Sequence, residues 1–436
     1  MTDIWAGADL GSTNVKVLLT DSTGTVLARA SCPTPRSGLR TDADALVDTL
    51  EELILRAAHE VGRSRLHGIC VAGVGEDGVL HADGRPLGQA LPWFDPSRRT
   101  VLDQLAALRG PDDRVRYGVE LDAARTVAAW ALLTPDQVHA ATGWVACSDY
   151  PALRWTGRAV MSSSLAARTG AWLLEPGGWD QARVTPFLPL EFLPPVVAAG
   201  TVVGELRSRR LAGLLSSDAV VVAGGHDHPV AASVVHRQDP AAPLDSMGTA
   251  EVIVRDVAAG PPPQEVDLSP AILGPSRTAL TVVELDRNMS WLRSTGLGAQ
   301  VDAVMAGTLA APPPGPQVFV PGAAGGEAPR WTPAAWKLSD ELRAAAAVRQ
   351  LAEAGAAALR GLAPDAQVIY GAGGWTRAPG WMRLKAAAVR APYSVLAEPE
   401  LAALGAAQLT LPGPAAPVAV HEADQRVADR LSARGK

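Results

Sequence analysis

Cysteine and lysine are both scarce in this chain of 436 residues. The three cysteines, Cys32, Cys70 and Cys147, are odd in number, far apart and without CxxC spacing. That pattern supports neither a disulfide framework nor a thiolate metal site, so buried or neutral thiols are expected. Lysine occurs only at Lys16, Lys337, Lys385 and Lys436, which makes each one worth individual attention. No run reaches the roughly 18 apolar residues of a membrane span, and the opening Met1-Thr2-Asp3-Ile4-Trp5 has no basic leader segment. A cytoplasmic protein without a membrane partner is therefore expected. A net charge of −6 argues against nucleic acid, whose phosphates require a basic face, but leaves a small anionic cofactor open.

What is present is apolar material, 47% of residues, enough for two domains that each bury a core. The run Trp5 to Leu10 stops at Gly11-Ser12-Thr13-Asn14, after which Val15, Val17 and Leu19 alternate. This reads as strand, tight turn and strand, with a third strand over Thr25 to Ala30. From Ala43 the period changes: Leu46, Leu50, Leu53, Ile54, Ala57 and Val61 share a helical stripe closed by Gly62, and Leu66 to Val74 returns to a strand. A meander followed by alternating helices and strands predicts an α/β domain with a mixed sheet. Near Asp245 a similar unit recurs, Ser246-Met247-Gly248-Thr249 running into Val252, Ile253 and Val254, which suggests a duplicated domain. The expected division is 1–237 and 238–436. In the second part, Pro261 to Pro263 and Pro312 to Pro316 read as surface connections. Helices are expected over Asp340 to Leu362 and Glu398 to Leu411, a strand over Gln367 to Tyr370, and a polar amphipathic helix from Val420.

Three stretches carry possible chemistry. In Asp9-Leu10-Gly11-Ser12-Thr13-Asn14-Val15-Lys16, a glycine lets backbone approach phosphate oxygens and hydroxyl groups add donors. Lys16 supplies positive charge and Asp9 could hold Mg²⁺ through water; the plainer reading is a hairpin turn with local hydrogen bonds. No GxxxxGK[ST] pattern occurs, which argues against a P-loop enzyme. Gly371-Ala372-Gly373-Gly374 follows a strand, but Thr376 stands where a dinucleotide fingerprint has its third glycine. The cluster His226-Asp227-His228 ends an apolar strand over Ala219 to Ala223 and precedes a helix with Pro229 in its first turn. Metal ligation would need further ligands, and the remaining histidines show no supporting spacing. Asp227 as a base that accepts a substrate proton fits better, with a helix N-cap as the bland alternative.

Together these residues resemble the FGGY carbohydrate kinase family, and the matching motifs run in order along most of the chain. Asp9 to Lys16 is similar to its first phosphate motif, Trp93-Phe94-Asp95-Pro96-Ser97-Arg98 to its Trp-x-Asp-x-x-Arg signature, and Asp149-Tyr150 with Leu153 to Gly157 to its next stretch. Gly224-Gly225-His226-Asp227 resembles the approach to the catalytic aspartate, Asp245 to Thr249 the second phosphate motif, and Gly371 to Gly374 with Ala403 to Ala407 the adenosine motif. The resemblance implies a two-domain, actin-like (ribonuclease H-like) ATPase fold with a duplicated mixed-sheet domain. It further implies a cytoplasmic kinase that uses ATP and Mg²⁺ to phosphorylate a hydroxyl of a ketose or polyol. Asp227 is matched to the base, and Glu76, Trp93, Asp95 and His228 to substrate contacts. Gly11, Ser12, Thr13, Asn14, Lys16, Gly248, Thr249, Gly373 and Gly374 are matched to cofactor binding, and Asp9 to the metal. Gly75 stands where glycerol kinases place an arginine, which points away from glycerol. The alternative is a sugar- or nucleotide-binding protein that retained the fold, with a shortened second lobe; a homodimer is among the assemblies left open.

Overall fold

The computed structural model describes residues 1–258, 266–322, 328–389 and 391–422. The chain begins as expected, with β1 (Thr2–Leu10), β2 (Asn14–Thr20) and β3 (Val26–Pro33) forming an antiparallel meander. Helix α1 (Ala43–Val61) is capped by the Asp42 side chain, which accepts from Ala45 N at 3.1 Å, and stops at Gly62, whose φ of 87° suits glycine. The returning strand Ser64–Gly73 lies parallel to β1, and the strand Leu215–His226 lies parallel to it in turn. With Val202–Glu205 at the far edge, these make a six-stranded mixed sheet.

Alternation along the strands sorts side chains onto the two faces. Ile4, Ala6, Ala8, Ile69 and Val71 join Leu46, Leu50, Leu53 and Ile54 of α1 in one core. Cys70, Ala72 and Val222 point the other way, towards Val230 and Ala406. Each fully buried leucine or isoleucine on these faces contributes roughly 1.5–3 kcal/mol relative to exposure. The second face is covered by helices Asp227–His236 and Leu401–Leu409, which come very close to the strands and to each other. A Cβ on Gly7 would stand 1.9 Å from Ala403 O, and one on Gly405 would stand 2.2 Å from Val230 O. The glycine- and alanine-rich run Ala403 to Ala407 is thus a packing element of the first compact unit, which comprises Met1–Arg237, Val257–Thr278 and Glu400–Pro417. A smaller sheet, formed by Gly78–Ala82, Arg85–Pro86 and Gly143–Ala146, carries a further core around Leu80, Leu105, Leu121, Trp130 and Trp144.

The second unit, Gln238–Asp256, Ala279–Pro399 and Val418–Lys436, repeats the hairpin theme. Leu244–Met247 pairs antiparallel with Glu251–Val257 and parallel with Ile369–Ala372, which pairs parallel with Tyr393–Leu396. Helices Gly298–Ala306, Asp340–Leu362 and Pro379–Val389 pack together. The amphipathic helix expected from Val420 is corrected at its start: Val420–Glu422 is a short strand antiparallel to Tyr393–Leu396, where the sheet edge offers backbone partners that outweigh a weak helical pattern. The rest of that tail, like Pro261 to Pro263, lies outside the described residues.

Candidate active site

The turn between β1 and β2 is tight because Gly11 N donates to Asn14 O at 3.1 Å, and a Cβ on Gly11 would come within 2.9 Å of that oxygen. Its carbonyls are engaged from the segment after β3. Thr34 Oγ1 donates to Gly11 O (2.7 Å), Arg36 Nη2 to Ser12 O (2.9 Å) and Thr34 N to Thr13 O (2.9 Å). Lys16 faces Asp9 across the β1–β2 register. Its Nζ lies 2.7 Å from Glu400 and 3.8 Å from Asp9, and it half-projects to solvent. Asp9 is buried, and its Oδ1 has no hydrogen-bond partner. Burial, then the neighbouring charge of Asp227, pushes its pKa up to about 7.

Asp227 is the first residue of helix Asp227–His236, delivered by the strand Leu215–His226, whose His226 is in register with Gly73. Its Oδ1 accepts from His228 N at 2.7 Å and lies 3.2 Å from His226 Nε2 and 3.8 Å from His228 Nε2. Burial works to raise this carboxyl, but the His228 and His226 side chains, the His228 N–H and Arg168 outweigh it and hold the group below the ordinary carboxylate range. Asp9, buried, and Asp227, half-buried, are therefore neighbouring carboxyls driven in opposite directions.

Glu76 follows the strand Ser64–Gly73 and is buried. Arg168 donates to its Oε1 from Nε (2.7 Å), and Arg125 Nη1 stands 3.5 Å from the same oxygen. Both arginines also reach Asp267 Oδ2, at 2.8 and 3.0 Å. This square of two carboxylates and two guanidiniums is charge-balanced, and despite burial the arginines keep Glu76 ionised. A Cβ on Gly75 would lie 2.6 Å from Arg168 Cγ, so the missing side chain makes room for Arg168.

Trp93 is 41% exposed; its N donates to Asp77 Oδ1 (2.6 Å) and its Nε1 to Ser12 Oγ (3.1 Å). The tryptophan stretch and the opening turn thus meet. Asp95 Oδ1 accepts from Ser97 N and Oγ at 2.9 and 2.7 Å, capping the short helix Pro96–Val101. Arg98, fully buried, donates to the carbonyl oxygens of Leu91, Ala124, Arg125 and Glu76 at 2.6–3.1 Å. The last residue of the Trp-x-Asp-x-x-Arg stretch is therefore a structural hub. His228 is half-buried, with its ring edge-on to His226 at 5.6 Å.

In the second unit, Gly248 and Thr249 form the turn of the hairpin; Gly248 N donates to Ala250 O at 2.9 Å and Thr249 O accepts from Asp286 N at 3.0 Å. Gly373 has φ 93°, and a Cβ there would meet Met247 O at 2.2 Å. Trp375, just after Gly374, donates from Nε1 to Gly248 O at 2.8 Å. The two glycine turns of this unit are therefore adjacent.

Sequence reasoning missed Asp77, Arg125, Arg168, Asp267 and Glu400, and considered His226 only as a metal ligand. Their partners lie tens to hundreds of residues away, and no local pattern reports them. The one usable signal was the unusual Gly75-Glu76 pair.

Residues 4–233 match the family model described as "FGGY family of carbohydrate kinases, N-terminal domain", more than half of the chain. L-fuculokinase of Escherichia coli (strain K12) is 23% identical over 240 residues, 50% of this chain and 49% of that protein. The chain thus matches about half the length of such curated relatives. Among solved structures, xylulose kinase from Rhodospirillum rubrum is similar with a TM-score of 0.81 at 22% identity, over 93% of this chain and 89% of that one. Plasmodium falciparum glycerol kinase with ADP gives 0.81 at 14% identity, over 100% and 98%. These likenesses establish the actin-like ATPase fold with two sheet-rich α/β units. With the family match over 4–233, the chain belongs to the FGGY family of carbohydrate kinases.

Proposed function

We propose that this protein transfers the γ-phosphoryl group of ATP to a hydroxyl of a ketose or polyol, with Asp227 as general base. The observation that carries the reading is the contrast between two neighbouring carboxyls: the half-buried Asp227, beside His226 and the His228 N–H, is held below the ordinary carboxylate range, as an ionised base requires, while buried Asp9 is pushed up to about 7. Asp227 accepts the proton of the acceptor hydroxyl as that oxygen bonds to the γ-phosphorus; the bond from phosphorus to the β–γ bridging oxygen breaks, and ADP leaves. Trp93, Glu76, Asp95 and His228 are the proposed acceptor-side residues. Trp93 offers an exposed ring and Glu76 a fixed carboxylate, whereas Asp95 acts through the turn it caps. Gly11, Ser12, Thr13, Asn14 and Lys16 are proposed to meet phosphate in the first unit. Gly248, Thr249, Gly373 and Gly374 are proposed nucleotide contacts in the second.

Asp9 suits Mg²⁺. Its buried Oδ1 lacks a partner, and a cation there would replace the proton that burial favours. Such an ion takes one or two carboxylates and completes its shell with phosphate and water. When bound, Mg²⁺ supplies charge neutralisation for the phosphates.

The test is ADP release from MgATP with and without a panel of pentuloses, hexuloses and C3 to C6 polyols, on wild type and Asp227→Ala. Acceptor-dependent release that falls by on the order of 10²–10⁴ in the variant, with nucleotide affinity kept, is expected. Folded protein that binds nucleotide but turns over no acceptor would favour a binding protein that retained the fold.

A further inference from the structure

His226 ends its strand beneath Asp227, is 5% exposed, and is held from three sides. Its backbone N donates to Ser164 Oγ at 3.1 Å. The space beside its ring is bounded by Gly75 and Arg168: a Cβ at Gly75 would lie 3.1 Å from His226 Cδ2 and 2.6 Å from Arg168 Cγ. Arg168 is itself fixed between Glu76 and Asp267. The imidazole thus has little freedom, and its Nε2 stands 3.2 Å from Asp227 Oδ1. The His228 backbone N–H and His228 Nε2 address that same oxygen, at 2.7 and 3.8 Å.

We propose that His226 is a positioning residue for Asp227: its Nε2, 3.2 Å from Oδ1 and carrying a proton, attracts that oxygen and, with the hydrogen bond from the His228 N–H, fixes it, so that Oδ2 is the one that takes the acceptor proton. The inference rests on Asp227 being the base. Chemistry supports the donor role. Burial drives the imidazole pKa down to about 4, and Arg168 adds to that, so at neutral pH the ring carries one N–H. A neutral ring whose Nε2 faces a carboxylate oxygen places its proton there, since two lone pairs would otherwise repel. A neutral donor orients the carboxylate with less loss of basicity than a charged one, because charge-assisted bonds stabilise the ionised form more strongly. The groups facing this pair are Arg168, Glu76 and His228, with Asp9 and Lys16 on the side of the opening turn. Gly75 acquires a reason in the same geometry: any side chain there would displace Arg168 or the ring.

The test combines spectroscopy, which needs no acceptor, with turnover. In protein labelled with ¹⁵N in the imidazoles, the His226 signals, assigned by their loss in His226→Gln, are expected to show the neutral Nε2–H tautomer at pH 7 and to shift in Asp227→Asn. An Nδ1–H tautomer, a charged ring, or signals that ignore Asp227→Asn would overturn the inference. In turnover with the fastest acceptor of the panel, His226→Leu is expected to lower kcat on the order of 100-fold while KM for ATP stays. His226→Gln, whose amide N–H reaches the same place, is expected to recover most of that loss. Wild-type kcat in His226→Leu, with Asp227→Asn inactive, would sink the positioning role and leave the base reading standing. Full activity in Asp227→Asn would sink the base reading itself.

Discussion

Trp93 donates from its indole Nε1 to Ser12 Oγ across 81 residues of sequence, which ties the exposed ring to the turn that follows β1. If that ring is an acceptor wall, Trp93→Ala should raise the acceptor KM by on the order of tenfold and leave KM for ATP within about threefold. Initial rates with each substrate varied in turn would check this. An ATP-selective effect would assign the ring to the nucleotide side instead.

Arg98 should be among the most sensitive positions for folding. Its guanidinium satisfies four carbonyl oxygens from three separate segments, and no other side chain has that fork. Arg98→Met keeps the volume but strands those acceptors, at roughly 1–3 kcal/mol for each one left unpaired. Soluble expression and urea unfolding are expected to show a loss of more than about 3 kcal/mol, with Arg98→Lys intermediate.

Lys385 is fully buried in the second unit between Glu251, to which it donates, and Asp245 at 3.3 Å, while Tyr393 Oη donates to Asp245 Oδ2 at 2.7 Å. These groups anchor both arms of the hairpin that carries Gly248 and Thr249. Burial and Asp245 push Glu251 up to about 8. Lys385→Met leaves two buried carboxyls without their counter-charge and is expected to cost about 3–5 kcal/mol. Lys385→Met with Glu251→Gln should recover part of it. Additive losses in thermal melts would show that the two groups are not coupled.

Asp149 gives a pH signature. Burial, opposed only by the Ser162 N–H at 3.3 Å, raises its pKa from 3.8 to about 7. An acid with a higher pKa when folded holds its proton more tightly there, so its contribution is complete below about 4 and disappears as pH rises through about 7. Asp149→Asn escapes that loss. The difference in Tm, variant minus wild type, should therefore grow by a few degrees between pH 4 and pH 8, at roughly 2 °C per kcal/mol for a unit of this size. A difference that stays flat with pH would mean that Asp149 ionises alike in both states.

Local signals proved reliable where the physics is local. The stripe from Leu46 to Val61 with Gly62 after it became α1 and its stop, and Asp340 to Leu362 is a helix over that span. The strand expected over Gln367 to Tyr370 is Ile369–Ala372, because pairing with Leu244–Met247 on one side and Tyr393–Leu396 on the other, which has no local marker, sets its bounds. The polar stretches were legible as motifs, yet their geometry was not. Arg168 and Asp267 give no periodic or capping signal, and only the folded chain pairs them, 99 residues apart, with Arg168 also on Glu76. Ala403 to Ala407, which resembles part of the adenosine motif, is also the run whose small residues let a helix approach Gly7 and Val230 closely.

That helix sets an order of events during synthesis. The sheet bearing Asp9 and Asp227 has one face covered by residues 401–409, and Lys16 finds Glu400 from the same late segment. At ~5–20 residues per second, residues 400–417 leave the ribosome on the order of ten seconds after residue 278. Until then the first unit waits with part of an apolar sheet face open, and a premature stop within residues 279–399 leaves Asp9 and Asp227 made but the sheet behind them without its second covering helix.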